Sequence, residues 1–189
     1  MKILIYDVET TGLDSQKSAI HQLSGKVVID GEVKEVFDFK IRPHMGADIT
    51  DEALKVSGVT REQIQEYPDA ATQFQRFKMM LEKYINKYDR ADKFYLCGYN
   101  IGPFDNQFLR AFFARNGEKW FGSYFWSNYL DCIVLATPFL VDKRPAMKDF
   151  KQSSVAEALG VKVEEEKLHD AFYDIELSHL IYDKVCGKY

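Results

Sequence analysis

Lys2-Ile3-Leu4-Ile5-Tyr6-Asp7-Val8-Glu9-Thr10-Thr11-Gly12 decides how the rest of the chain is read. Lys2 to Val8 is short, apolar and rich in Ile, Leu and Val, the pattern of a buried strand. Gly12 breaks it. Side chains two residues apart in a strand share a face. Asp7 and Glu9 therefore project together from the end of an apolar sheet. Carboxylates so placed repel one another and lose hydration, and a divalent cation is the simplest remedy. Taken alone, the pair also fits two solvated acids at the start of a loop. Thr10-Thr11-Gly12 shifts the balance, since two hydroxyls and a glycine allow close backbone approach to a ligand.

Outward from this strand, Val27-Val28-Ile29 and Val33 to Ile41 flank Asp30-Gly31, a hairpin signal. Val36, Phe37, Phe39 and Ile41 are expected on the apolar face of its second arm. Thr50 is placed to cap a helix over Asp51 to Ser57, stopped by Gly58. Thr60 and Gln63 fit a capping box, with Pro68 ending that turn. Asp69 opens a longer helix, on which Phe74, Phe77, Leu81, Tyr84, Ile85 and Tyr88 share a stripe that reads as core. Phe94 to Tyr99 is expected as a strand and Asp105 to Asn116 as a helix closed by Gly117. Leu130 to Leu140 fits helix or strand. Short and long helices follow at Ser153 to Leu159 and Asp170 to Val185. Strands come first and then alternate with helices. The order predicts an α/β fold, a mixed central β-sheet flanked by α-helices.

A length of 189 residues suits one domain, taken as residues 1–189, and is expected to leave no room for a second. A hydrophobic fraction of 46% supports a packed core. The formal net charge of −4 excludes a protein that coats nucleic acid through bulk positive charge, so any polyanion needs local compensation. Cys97, Cys132 and Cys186 are odd in number and far apart, which argues for free thiols. No run approaches the roughly 20 apolar residues of a membrane span, and the N-terminus lacks a signal-peptide pattern. No membrane association and a cytoplasmic location are expected.

Two further segments carry chemistry. Gly98-Tyr99-Asn100-Ile101-Gly102-Pro103-Phe104-Asp105 joins a strand to a helix and sets Asp105 on the rim where α/β proteins bind ligands. A helix-capping aspartate is the plainer reading. His169-Asp170-Ala171-Phe172-Tyr173-Asp174 puts a histidine before the final helix and an acid in its first turns, where an apolar face would be expected.

Together, Asp7-x-Glu9-Thr-Thr-Gly, Phe104-Asp105 and His169-x-x-x-x-Asp174, in that order, resemble the histidine-bearing DEDD exonucleases. That superfamily includes the proofreading subunit of bacterial polymerase III, ribonuclease T and oligoribonuclease. Ala53-Leu54-x-Val56-x-Gly58-Val59-Thr60 is also similar to the family's segment between the sheet and the first long helix. The second motif departs, with Tyr99 in place of the family's histidine and one more residue between Asn100 and Phe104. The resemblance implies a ribonuclease H-like fold. It implies a 3′-to-5′ exonuclease that releases nucleoside 5′-monophosphates from single-stranded DNA, with two Mg2+ or Mn2+ ions as cofactors. Asp7, Glu9 and Asp174 would hold one ion, Asp7 would bridge to the second, and Asp105 would reach that second ion through water. His169 would be the general base, a task that suits an imidazole near neutral pH.

By the same resemblance, Thr10, Thr11 and Gly12 would hold the terminal 3′-hydroxyl, Leu13 would wedge against the last base, and Phe104 would stack; Asn100 belongs to the substrate-binding set. Leu13 and Phe104 fit core packing equally well. The aromatic cluster Trp120-Phe121 and Tyr124-Phe125-Trp126 reads as core first, and as a base platform or partner surface second. Lys143-Arg144 and Lys148 to Lys151 read as solvated surface or as phosphate contacts. An exoribonuclease of the oligoribonuclease or ribonuclease T type is the alternative, because these motifs read phosphate and sugar rather than base. An accessory subunit with a DNA polymerase partner is another, and a homodimer is in keeping with the RNA-processing relatives.

Overall fold

The computed structural model describes residues 1–167 and 171–187. Its sheet has five strands in the order β3-β2-β1-β4-β5. These are β1 (Lys2–Thr10), β2 (Ile20–Ile29), β3 (Glu32–Lys40), β4 (Tyr95–Gly98) and β5 (Leu130–Asp131). β1 pairs antiparallel with β2 and parallel with β4, so the chain changes sheet direction at the strand that bears Asp7 and Glu9. β2 and β3 form the expected hairpin. Its turn places both Asp30 (φ 52°) and Gly31 (φ 81°) in the left-handed region that a tight two-residue turn demands.

Alternation along β1 serves two cores. Leu4, Tyr6 and Val8 face a cluster with Phe74 and Phe77 of α3 (Ala70–Glu82) and Phe108, Leu109, Phe112 and Phe113 of α4 (Asp105–Arg115). Ile3 and Ile5 face the opposite cluster. There they meet α5 (Cys132–Leu140), α6 (Gln152–Ala158) and α7 (Ala171–Cys186) through Ala136, Val155, Ile175 and Ile181. Burial on both faces is why β1 reads as an unbroken apolar run. The first core is aromatic: Phe113 lies 5.0 Å, centroid to centroid, from both Phe74 and Phe121 in edge-on geometry. The mixed sheet with helices on both faces is the ribonuclease H-like fold that the motifs implied.

Local signals resolve as follows. α1 (Asp51–Ser57) is capped by Thr50 and ended by left-handed Gly58, and α2 (Arg61–Gln65) has both halves of the Thr60–Gln63 capping box. Asp69 caps α3, but that helix ends at Glu82. Tyr88 thus lies beyond the stripe assigned to it and is exposed, while Ile85 is buried without being helical. Val36 is exposed as well, because it lies on the outer face of an edge strand while Phe37 and Phe39 point inward. Leu130 to Leu140 is both things at once, two residues of β5 followed by α5. In the aromatic cluster, Phe121, Tyr124 and Phe125 are core, whereas Trp120 is exposed. Cys97 and Cys132 are buried free thiols and Cys186 is a half-buried one. Among the described residues, no helix is long and apolar enough to cross a membrane.

Candidate active site

Asp7 and Glu9 are half-buried at the end of β1, alternating with buried Tyr6, Val8 and Thr10. β4 pairs only as far along β1 as Ile5, so the last residues of β1 line an open crevice on that side. This is the switch point of the sheet, where open α/β folds bind ligands. Glu9 is held by α1: Ser57 donates its hydroxyl to Glu9 Oε2 at 2.7 Å, and His21 Nε2 lies 3.1 Å from the same hydroxyl.

The loop after β4 delivers Asp105. Asn100 takes φ 57° there, a conformation that asparagine tolerates better than most side chains. The helix cap is Phe104, not Asp105. The Asp105 carboxylate instead accepts the backbone N–H of Val8 at 3.1 Å, which ties the second acidic segment directly to the first. Asp105 is 5% exposed. Burial pushes its carboxyl up to about 7, against hydrogen bonds from its own and the Val8 backbone, and Asp131 and Glu9 add repulsion.

Asp174 enters from the first turns of α7, beside Gln152, whose amide donates to the Asp174 carbonyl at 2.6 Å. Asp7 feels all of these acids. Although its residue reaches the cleft surface, its carboxyl is ringed by protein at the floor. Desolvation is the main cause that pushes it well above the usual carboxylate range, followed by Asp105, Glu9 and Asp174. The four carboxylates line one cleft of about 1110 Å³. Among the described residues, Asp7, Glu9 and Asp105 have no lysine or arginine salt-bridge partner. Among the described residues, no three acid, histidine or cysteine side chains close on one point as a finished cage. The donor set is hard oxygen around an open space, which fits a hard divalent cation that keeps water among its ligands.

The segment before α6 also lines the cleft, with Asp149 set between two lysines. Met147, Lys148, Phe150 and Lys151 line it, and the Arg144 guanidinium sits 4.6 Å above the Phe150 ring. Tyr99, the residue in place of the family's motif histidine, donates its hydroxyl to the Phe150 carbonyl and so fastens this segment to the end of β4.

The remaining sequence-predicted residues divide. Phe104 and Asn100 line the cleft, with the Phe104 ring 4.9 Å from that of Phe108. The Thr10 and Thr11 hydroxyls are engaged internally, with the Gly12 and Asp48 carbonyls respectively, so they do not project as donors. Gly12 has its own structural reason, since a Cβ there would lie 2.5 Å from Ser18 Oγ. Leu13 is 86% exposed, which removes the core reading and leaves an apolar side chain in solvent. His169 lies outside the described residues, as does the Asp170 start of the last helix.

Two parts of the site were missed in the sequence. Asp131 is buried, caps α5 at Ile133, and accepts the backbone N–H groups of Asn100 at 2.8 Å and Gly102 at 3.1 Å. It holds the loop that delivers Asp105. Its signal was present, an aspartate directly before an apolar run of helical length. The His21–Ser57–Glu9 chain had no such signal, since it joins three elements distant in sequence.

Comparison with known proteins agrees with this fold. The exonuclease family model of the RNase T type matches residues 4–182. A DNA polymerase III of the PolC type from Pediococcus pentosaceus is 27% identical over 182 residues, covering 96% of this chain and 11% of that protein. The corresponding protein of Bacillus cereus is 24% identical over 182 residues. The chain thus spans about a tenth of the length of these relatives. Among solved structures, an Escherichia coli exonuclease I–single-stranded DNA complex superposes with a TM-score of 0.72 at 18% identity, over 97% of this chain and 40% of the other. Its complex with a dA16 oligonucleotide gives 0.72 at 20% identity. Those likenesses support the fold, and the family match rests on the sequence itself. The chain belongs to the RNase T-type exonuclease family, within the DEDD 3′-to-5′ exonuclease superfamily.

Proposed function

We propose that this chain hydrolyses the last phosphodiester of single-stranded DNA from the 3′ end and releases nucleoside 5′-monophosphates. One observation carries the reading: four carboxylates on three separate elements line one cleft, where burial and the neighbouring acids raise Asp7 and Asp105, and among the described residues Asp7, Glu9 and Asp105 have no basic salt-bridge partner. Such a cluster is stable when divalent cations share it. Asp7, Glu9 and Asp174 would hold one Mg2+ or Mn2+, and Asp7 with Asp105 a second. When bound, two such ions supply the positive charge that activates water and steadies the leaving oxygen.

The chain's own residues do the rest. Val8 N–H orients the Asp105 carboxylate. His169 would take the proton from the attacking water. Leu13 is exposed three residues after the end of β1 and would wedge against the last base. Phe104 and Phe150 offer rings to bases, and Lys148 and Lys151 offer charge to phosphates, in the same cleft as the acids. DNA is favoured over RNA because the similar polymerases and the superposing nuclease complexes carry DNA in their names. The likeness to a segment of PolC-type polymerases supports work beside a DNA polymerase, including proofreading.

Incubation of 3′- and 5′-labelled DNA and RNA oligonucleotides with magnesium tests this directly. Stepwise loss of mononucleotides from the 3′ end of DNA, abolished by a chelator, is the expected result. Degradation from the 5′ end, or activity indifferent to chelator, would overturn it.

A further inference from the structure

Glu9 is reached by a hydrogen-bonded chain that the motifs do not contain. β1 and β2 slip register between Glu9 and Thr10: Glu9 pairs with Gln22, but Thr10 pairs with Ile20. His21 is the extra residue of that β-bulge. Bulges re-aim side chains beside functional sites. This one turns the His21 imidazole inward, with no solvent exposure, to within 3.1 Å of Ser57 Oγ. Ser57 is the last residue of α1, ahead of left-handed Gly58.

The protons can be followed. A serine hydroxyl has one hydrogen and two lone pairs. Ser57 Oγ lies 2.7 Å from Glu9 Oε2 and 3.2 Å from the Ala53 carbonyl, and the shorter, charge-assisted contact takes the hydrogen. The hydroxyl then accepts from His21, which fixes the imidazole with its proton on Nε2. Among the described residues, buried His21 Nδ1 has no hydrogen-bond partner, so placing the proton there would orphan an N–H donor and leave nothing for Ser57 to accept.

We infer that Ser57 and His21 are positioning residues for Glu9, a two-link chain that fixes Oε2 and so presents the other carboxylate oxygen to a divalent cation in the cleft. The inference rests on the proposed metal-dependent reading of that cleft. It assigns a role to α1, which contributes none of the four cleft carboxylates, and gives a reason for the bulge. Partners behind a ligating side chain act by holding its geometry, and their loss typically weakens metal binding or activity by about 10–100-fold.

Titration calorimetry with manganese, on the intact chain without nucleic acid, tests this apart from turnover. Ser57→Ala is expected to bind manganese about 10–100-fold more weakly than the parent, with an unchanged melting curve in the absence of metal. Ser57→Thr keeps the hydroxyl and is expected to regain most of the affinity. His21→Gln, which can present an N–H from a similar distance, should bind more tightly than His21→Leu. Parent-like affinity in Ser57→Ala would overturn the inference. So would a folded Ser57→Thr as weak as Ser57→Ala. A parent that binds no manganese removes the functional reading instead, so the two failures are distinct.

Discussion

The Val8 backbone N–H points at the Asp105 carboxylate across 3.1 Å, joining residues almost a hundred positions apart at the floor of the cleft. A strand-end amide and a helix-start acid are thereby fixed relative to one another before any ligand arrives. The contact lowers the proton affinity of Asp105, but burial outweighs it and the group is left near 7.

That balance has a pH signature. An unfolded aspartate titrates near 4. Between about pH 4 and 7 the folded chain keeps a proton on Asp105 that the unfolded chain has released. This contribution to stability is therefore fully present below about pH 4 and is lost as the pH rises through about 7. Asp7 is shifted in the same direction. Asp105→Asn keeps an oxygen for Val8 and removes the charge. Metal-free Asp105→Asn should melt above the parent at pH 8 and converge with it near pH 4. Each 1 kcal/mol of relieved cost moves Tm by about 2–4 °C at this chain length. A parent more stable than the variant at pH 8 without metal would count against the assignment.

Activity and metal binding should separate by residue. Asp7→Ala and Asp174→Ala should each lower DNA degradation by at least about 100-fold while the circular-dichroism spectrum is retained, because removing one acid relieves the others. His169→Ala should slow the reaction by about 100–10,000-fold yet bind manganese within a few-fold of the parent, as a proton acceptor rather than a ligand would. Equal loss of manganese affinity in His169→Ala would move that residue from base to ligand.

Asp131 should matter without touching substrate. Its carboxylate satisfies Asn100, Gly102 and the first turn of α5 together. Asp131→Ala leaves buried N–H groups unpaired, at about 1–3 kcal/mol, and frees the loop that carries Asp105. Denaturant titration is expected to show that loss of stability together with a drop in activity, and Asp131→Asn should recover part of each. Full activity in Asp131→Ala would show that Asp105 is held from elsewhere.

What was legible in the sequence follows a physical division. Caps, turns and strand alternation are local, so Thr50, the Thr60–Gln63 box, Asp30-Gly31 and the Asp7/Glu9 face were all readable. Tyr88 and Val36 were misplaced because periodicity does not reveal where a helix stops or which strand forms the edge. The acids of the cleft were found because each motif keeps its spacing along the chain. Ser57, His21 and Tyr99 act through contacts between distant elements, and a bulge inserts itself against the alternation on which strand reading depends. The Thr10 and Thr11 hydroxyls show the converse, residue types suited to a ligand but engaged by their own loop.

The lysines of the cleft should be separable from its acids by salt. Lys148 and Lys151 line the cleft without a salt-bridge partner in the described structure, and Phe150 is exposed between them under Arg144. A lysine that contacts a phosphate of a single strand contributes about 0.7 to the slope of log affinity against log salt. Lys148→Ala and Lys151→Ala should each reduce that slope by about 0.7, raise KM at moderate salt and leave kcat largely unchanged. Phe150→Ala removes a stacking surface worth about 1–3 kcal/mol per base and should weaken single-stranded DNA binding at every salt concentration, with the slope preserved. Fluorescence anisotropy of a labelled oligonucleotide, with calcium in place of magnesium to prevent turnover, reads both quantities. Lysine variants that bind with the parental slope would place the DNA elsewhere and leave this segment as scaffolding for Tyr99.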